Sequence, residues 1–369
     1  MALKIKTLEE AEKLRACLEN AEPFELREIK IHLTGRCNLR CPPCGNWKNC
    51  YSEDTLIDED IERVIDEGKT LGLRNVKFFG GEPLMHPRFG YFVKYAHERG
   101  MHTNVISNAT LLTPERVREI FDACLDEMIV SIDGPDPELN DLMRGVPGTF
   151  ERIVQGLKEI QKQKVLRQSK FTLSDNVAVT RMNFRGLPEL FEFCANQGIS
   201  AITLNPVVRT HRLKSYNEEA EQFARLPLTA DEIREYNQEI APSLLEKASA
   251  LHIQIPRDKV YIFGESEADI ERASKVDYVS RLGRFHCFRP FYYTIIRENG
   301  DVVACNRVKD TRVRPIGNIH EQSLTSLWNS ERYKLFRQSS TPVNFEDCVQ
   351  CCYVTALLNK KLTEKLEAV

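Results

Sequence analysis

The chain has 369 residues, a formal net charge of −3 and 42% hydrophobic residues. That length holds one large domain or two modest ones with a real core, and the near-neutral charge gives no electrostatic case for nucleic acid or membrane as partner. No run approaches the roughly 18 consecutive apolar residues of a membrane span, and the charged N-terminal stretch lacks a signal core, so a cytoplasmic protein is expected.

In chain order, Thr7 and Glu10 have capping-box spacing and open a helix. Strand-like runs then follow at Ile29–Leu33, Val76–Phe79, Thr103–Ile106, Met128–Ile132, Val177–Thr180 and Ile202–Leu204. Helical stretches between them include Ile57–Leu71, Thr113–Cys124 and Leu187–Gly198; Thr113, Pro114 and Glu115 suit a helix start. Six β–α units in series predict a parallel sheet with right-handed crossovers. Six are too few for the usual eight-stranded barrel, which leaves a partial barrel or an open doubly wound sheet.

The polar motifs favour the barrel. Cys37-x3-Cys41-x2-Cys44 follows the first strand, Gly80-Gly81-Glu82 the second and Ser107-Asn108 the third, and Ser131-Ile132-Asp133-Gly134 ends the fourth. All lie at carboxyl ends, the functional face of α/β barrels. Residues 209–284 break the rhythm and read as a connector or lid, with a helix at Thr229–Lys247. From 285 a small module begins, with a hairpin of Tyr292–Arg297, Asn299-Gly300 and Asp301–Cys305. The expected fold is α/β: a 1–27 helix, a partial (β/α)6 TIM-like barrel over 28–208, a connector over 209–284, and an α+β module over 285–369.

Twelve cysteines exceed what packing requires, and a reducing compartment disfavours disulfides. They group as Cys37/Cys41/Cys44 and Cys287/Cys305/Cys348/Cys351, leaving Cys17, Cys50, Cys124, Cys194 and Cys352. Three thiolates can hold three irons of a cubane and leave the fourth open. Zinc is the rival, since Cys50 can complete a closed tetrahedral site. The late four cysteines suit either a four-sulfur cluster or a zinc knuckle.

The triplet together with Phe79-Gly80-Gly81-Glu82-Pro83 resembles the radical S-adenosylmethionine (SAM) superfamily. The resemblance implies a [4Fe-4S] cluster on Cys37, Cys41 and Cys44, whose open iron chelates the amino and carboxylate groups of SAM. It implies glycines at Gly80 and Gly81 that let the backbone approach the methionine moiety, with Glu82 as a carboxylate acceptor. Ser131 and Arg144 are then candidate partners of the methionine carboxylate or the ribose, and Ser107, Asn108 and Thr180 weaker contacts. Pro43 stands where the family usually carries an aromatic residue, so adenine is expected to lean on the sixth strand around Leu204.

The C-terminal stretch resembles the SPASM extension in its shorter twitch form. Cys287-Phe288-Arg289-Pro290, Gly300-x4-Cys305, Ile316-Gly317-Asn318-Ile319, Leu327-Trp328 and Cys348-x2-Cys351 carry the likeness. The fuller form expects a further cysteine where Leu357 stands, so one auxiliary [4Fe-4S] cluster on Cys287, Cys305, Cys348 and Cys351 is implied, or two clusters in all. The implied reaction is reductive SAM cleavage to a 5′-deoxyadenosyl radical that abstracts hydrogen from a C–H bond. The electron donor would be a protein such as flavodoxin or ferredoxin.

The expected outcome is oxidation of a small polyol, sugar or aminocyclitol. Alternatives are maturation or epimerisation of a ribosomally made peptide, with Cys50 as the candidate hydrogen donor, and a non-catalytic zinc protein. Further candidate substrate contacts are His86, Asn205, Arg209 and Tyr292.

Overall fold

The computed structural model describes residues 7–42, 44, 47, 55–207, 226–277, 279, 282–283, 285–306, 314–343, 348, 351 and 353–367. Pro43, Cys50, Arg209 and Cys352 lie outside them. Helix α1 (Leu8–Asn20) begins where Thr7 accepts from the Glu10 N–H at 3.1 Å. The barrel follows as β1 (Glu28–Thr34), α2 (Asp58–Thr70), β2 (Asn75–Gly80), α3 (Phe89–Glu98), β3 (His102–Ser107), α4 (Pro114–Asp122), β4 (Glu127–Val130), α5 (Pro137–Arg144), α6 (Thr149–Arg167), β5 (Thr172–Val179), α7 (Leu187–Asn196) and β6 (Ala201–Pro206). Each of these strands pairs in parallel with the next, giving the partial (β/α)6 barrel that the sequence predicts.

Alternation divides the strands. Ile29, Ile31 and Leu33 are buried in the large core, as are Val76 and Phe78. The intervening Glu28, Lys30 and His32 of β1 and Lys77 of β2 turn to the opposite face, so part of the barrel interior is polar.

Two strands differ in extent from the sequence reading. β4 stops at Val130 because the Ile132 N–H leaves the ladder for Asp175 Oδ1 at 3.0 Å. β5 begins at Thr172, five residues early, because its first half is polar on the interior face and carries no apolar run.

The region after β6 holds α8 (Ala230–Glu235), a π-helical turn (Tyr236–Ile240) and α9 (Ala241–Ala250) instead of one continuous helix. The Ala241 N–H bonds to Tyr236 O, five residues back. Pro242 has no N–H with which to continue the ladder there, and the wider turn absorbs the break. Helix α10 (Glu267–Ser274) follows.

The C-terminal part joins the barrel sheet. β7 (Tyr293–Ile296) pairs in parallel with β1, matching Glu28 to Tyr293 and Ile31 to Ile296. β8 (Asp301–Val303) and β9 (Gly317–Asn318) add antiparallel strands. Among the described residues the order is β6-β5-β4-β3-β2-β1-β7-β8-β9. The predicted hairpin is present, and Gly300 takes the left-handed φ of +81° its turn needs.

Two short helices, α11 (Leu324–Trp328) and α12 (Glu331–Gln338), flank this edge. They are pinned by buried Arg337, which donates to Pro290 O at 3.0 Å and Trp328 O at 2.8 Å. The last helix, α13 (Tyr353–Glu367), touches β6 and accepts from the other flank. Phe288 N–H donates to Asn359 Oδ1 at 3.3 Å, and His286 N–H to Thr363 Oγ1 at 3.1 Å. α13 therefore spans the gap between the two flanks of the open barrel. Among the described residues no helix is long and apolar enough to cross a membrane.

Candidate active site

The cysteine loop leaves β1 at Thr34 and lies against the end of β2. Gly81 N–H donates to Thr34 O, and Glu82 N–H to Arg36 O, each at 2.8 Å. A Cβ on Gly81 would lie 2.0 Å from Arg36 O, and one on Gly80 (φ +148°) 2.3 Å from Thr34 O. Only glycine permits this approach. Gly145, just past α5, closes the loop from the other side: its Cβ would meet Arg40 O at 2.3 Å.

Polar side chains at the ends of β2 and β3 hold the loop. Glu82 is buried, with its carboxylate accepting from Ser107 Oγ at 2.8 Å, Leu84 N–H at 3.0 Å and Asn108 N–H at 2.7 Å. Burial pushes its pKa up to about 7, against the pull of those bonds. The structure thus makes Glu82 and Ser107 a staple between two strands. Asn108 reaches the loop directly, donating to Asn38 Oδ1 at 2.8 Å and lying 3.9 Å from Cys37 Sγ. Asn38 donates in turn to Thr110 Oγ1 at 2.8 Å. Asn38 and Thr110 escaped the sequence reading, because polar residues beside a motif carry no signal of their own.

Arg144 sits beneath the loop. It pairs with Asp133 at 2.7 Å, lies beside the Cys41 thiol, and its carbonyl accepts from Arg40 N–H at 3.2 Å. Ser131 stands partly exposed just past β4. Two candidates point elsewhere. Thr180 is buried and bonds to Asn183 Oδ1 at 3.1 Å, while Leu204 is wholly buried in the helix-facing core. Its neighbour Asn205 faces inward and donates to Asn176 Oδ1 at 2.5 Å. Of the proposed substrate contacts, His86 accepts from Arg88 N–H at 3.2 Å and packs on Phe92, and Tyr292 lies in the small core beside α1.

Behind Asp133, the carboxyl of Asp175 is fully enclosed, accepts from Ile132 N–H, and has Cys194 Sγ at 3.5 Å. Burial raises its pKa from 3.8 to about 7. A raised carboxyl binds its proton more tightly in the folded state. Its stabilisation is therefore complete below 3.8 and lost as pH climbs through about 7. Urea denaturation across that window should show Asp175→Asn lacking this part of the loss seen in the parent chain; identical slopes would contradict it.

Cys287, Cys305, Cys348 and Cys351 all line one cavity of about 250 Å³, together with inward residues of β1, β2, β3 and β7. Leu357, where the fuller motif would place a cysteine, is buried in the core. Burial pushes the Cys37 and Cys287 thiols up to about 11 and raises Cys41 as well. A bound cation reverses that penalty and holds the sulfurs as thiolates. Among the described residues no three His, Cys, Asp or Glu side chains are gathered as for a single ion. A cubane does not require that, since its thiolates bind different irons. Both cysteine sets therefore fit iron–sulfur clusters in ligand type, number and setting.

A parallel partial barrel with a three-cysteine loop on its functional face and a four-cysteine cavity at its flank fits an iron–sulfur protein. Residues 31–194 match the family model of the radical SAM superfamily, and residues 287–352 match that of the SPASM iron–sulfur cluster-binding domain. The chain belongs to the radical SAM superfamily, in its SPASM branch.

Among curated relatives, a tungsten-containing aldehyde ferredoxin oxidoreductase cofactor-modifying protein of Pyrococcus furiosus is 26% identical over 349 residues, covering 88% of this chain and 87% of the relative. An AdoMet-dependent heme synthase of Oleidesulfovibrio alaskensis is 26% identical over 347 residues, covering 91% and 82%. Among solved structures, Streptococcus suis SuiB bound to SAM superposes with a TM-score of 0.65 at 18% identity, covering 96% of this chain and 79% of that one. This likeness is one of fold.

Proposed function

We propose that this radical SAM enzyme oxidises a C–H bond of a small organic substrate held in the barrel lumen, between a SAM-binding cluster on Cys37, Cys41 and Cys44 and one auxiliary cluster on Cys287, Cys305, Cys348 and Cys351. The observation that carries the reading is the common cavity. The four late cysteines line the same space as the inward faces of β1, β2 and β3, whose carboxyl ends bear the cysteine loop, the glycine pair and Ser107-Asn108. When loaded, the clusters supply one-electron reduction of SAM at one end and a place for the substrate's electron at the other.

The chain's own residues position and shield. Gly80 and Gly81 admit the cysteine loop against the strand ends, Asn108 braces Asn38 and approaches Cys37, and Arg144 sets its positive charge beside Cys41. The strands wall the lumen, and radical chemistry there requires that water be kept out. A protein donor such as flavodoxin or ferredoxin would supply the reducing electron.

The relatives' names speak of cofactor modification and heme synthesis, which favours a cofactor-type substrate over the polyol suggested by the sequence. Likeness of fold to SuiB does not bring a peptide substrate with it. Anaerobic reconstitution followed by chemical reduction tests the reading: SAM should yield methionine and 5′-deoxyadenosine in equal amounts, and no cleavage would contradict it.

A further inference from the structure

The backbone on both sides of Cys287 docks onto α13. His286 N–H donates to Thr363 Oγ1 at 3.1 Å and Phe288 N–H to Asn359 Oδ1 at 3.3 Å, and Asn359 and Thr363 stand about one helical turn apart. Thr363 Oγ1 donates in turn to Asn359 O at 3.0 Å. Cys287 N–H is taken by Ser340 O at 2.9 Å. Cys287 is thus held at its own amide and at both neighbours, and it lines the four-cysteine cavity.

This clamp fixes the Asn359 amide. Phe288 N–H needs an acceptor, which assigns Oδ1 to that side and leaves Nδ2 on the other. Asn359 is 5% exposed. Its Nδ2 is buried, and no partner among the described residues completes a hydrogen bond with it. A buried donor left in that state is costly. Beside the amide lies the Cys287 thiol. Burial disfavours the thiolate there, whereas the Arg289 backbone N–H and the Asn359 side chain favour it. A neutral thiol accepts weakly, and a thiolate on iron carries the charge that strengthens such a bond.

We infer that Asn359 donates an N–H···S hydrogen bond from Nδ2 to Cys287 Sγ in the loaded protein and so raises the reduction potential of the auxiliary cluster. The inference rests on the reading that Cys287, Cys305, Cys348 and Cys351 hold that cluster, and adds a residue that tunes it. An electron added to the cluster increases the negative charge on its thiolates, so a donor stabilises the reduced form more than the oxidised one. Asn359 therefore acts through Cys287, as a positioning residue, and makes the cluster a readier acceptor for the substrate's electron.

Potentiometric titration of the holoprotein with both clusters loaded, followed by electron paramagnetic resonance, tests the inference. Added SAM marks the signal of the open cluster, so the two midpoints separate. Asn359→Leu should make reduction of the auxiliary cluster about tenfold less favourable, a midpoint about 59 mV lower for one electron, and leave the other midpoint in place. An unchanged auxiliary midpoint would overturn the inference. So would a raised one, because a gap that merely admits water solvates the added charge and moves the midpoint upward.

Asn359→Asp keeps the oxygen that Phe288 N–H needs and removes Nδ2 alone. Holoprotein carrying asparagine isotopically labelled at the side-chain amide nitrogen should show a hyperfine coupling to the reduced auxiliary cluster that the equally labelled Asn359→Asp protein lacks. No amide coupling in the unaltered protein, or an unchanged spectrum in the variant, would overturn the inference even if Asn359→Leu loses iron. An unaltered protein that binds only about four irons per chain would contradict the parent reading itself, a result read from iron content before any potential is measured.

Discussion

Replacing Cys37, Cys41 and Cys44 together by alanine is expected to abolish 5′-deoxyadenosine formation while leaving a folded iron–sulfur protein. The loop's described residues carry no β-ladder and follow β1, whereas the core beneath it is built from Ile29, Ile31, Val76 and Phe78. Loss of the thiols therefore spares the fold. Iron should fall from about eight to about four per chain, since two four-iron clusters become one. Replacing Cys348 should have the complementary effect, removing the auxiliary cluster while some SAM cleavage persists. Continued cleavage by the triple variant would show that the open iron lies elsewhere.

Gly81→Ala should damage the same chemistry without touching a ligand. The new Cβ would fall 2.0 Å from Arg36 O and 2.7 Å from Gly35 O, both backbone atoms that no side-chain rotation can clear. The loop must retreat, stretching the paired 2.8 Å bonds from Gly81 to Thr34 and from Glu82 to Arg36. Misplacing a cluster and its bound substrate by about 1 Å costs on the order of 100-fold in rate, and overpacking adds roughly 1–3 kcal/mol of destabilisation. SAM cleavage per folded protein should drop by about that factor, with the auxiliary cluster retained. A Gly81→Ala protein cleaving SAM at the parent rate would show that the loop has slack the structure does not display.

The cysteines and glycines of this site were legible because their signals are local. The C-x3-C-x2-C spacing and the Gly-Gly-Glu turn each fit within one strand end, and alternation of apolar residues marked the strands beneath them. Pairing between distant segments has no such local mark. That β7 joins β1 in parallel, extending the barrel sheet, follows from register and not from any motif in Tyr293–Ile296.

Leu204 was open to a better reading: it is in phase with Ile202 and out of phase with Asn205, and the burial pattern places that phase against the helices. Thr180 likewise ends β5 in a turn with Asn183, which satisfies its hydroxyl. Arg144 was singled out as a fork for a carboxylate, and the carboxylate it meets within the chain is Asp133.

On the proposed reading, Cys37, Cys41 and Cys44 leave one iron open for SAM. Electron–nuclear double resonance on the reduced Cys348→Ala protein tests it most directly, using SAM isotopically labelled at the methionine amino nitrogen. A hyperfine coupling between that nitrogen and the cluster is expected, lost when Cys41 is replaced. A reduced cluster whose spectrum shows no coupling to bound SAM would contradict it.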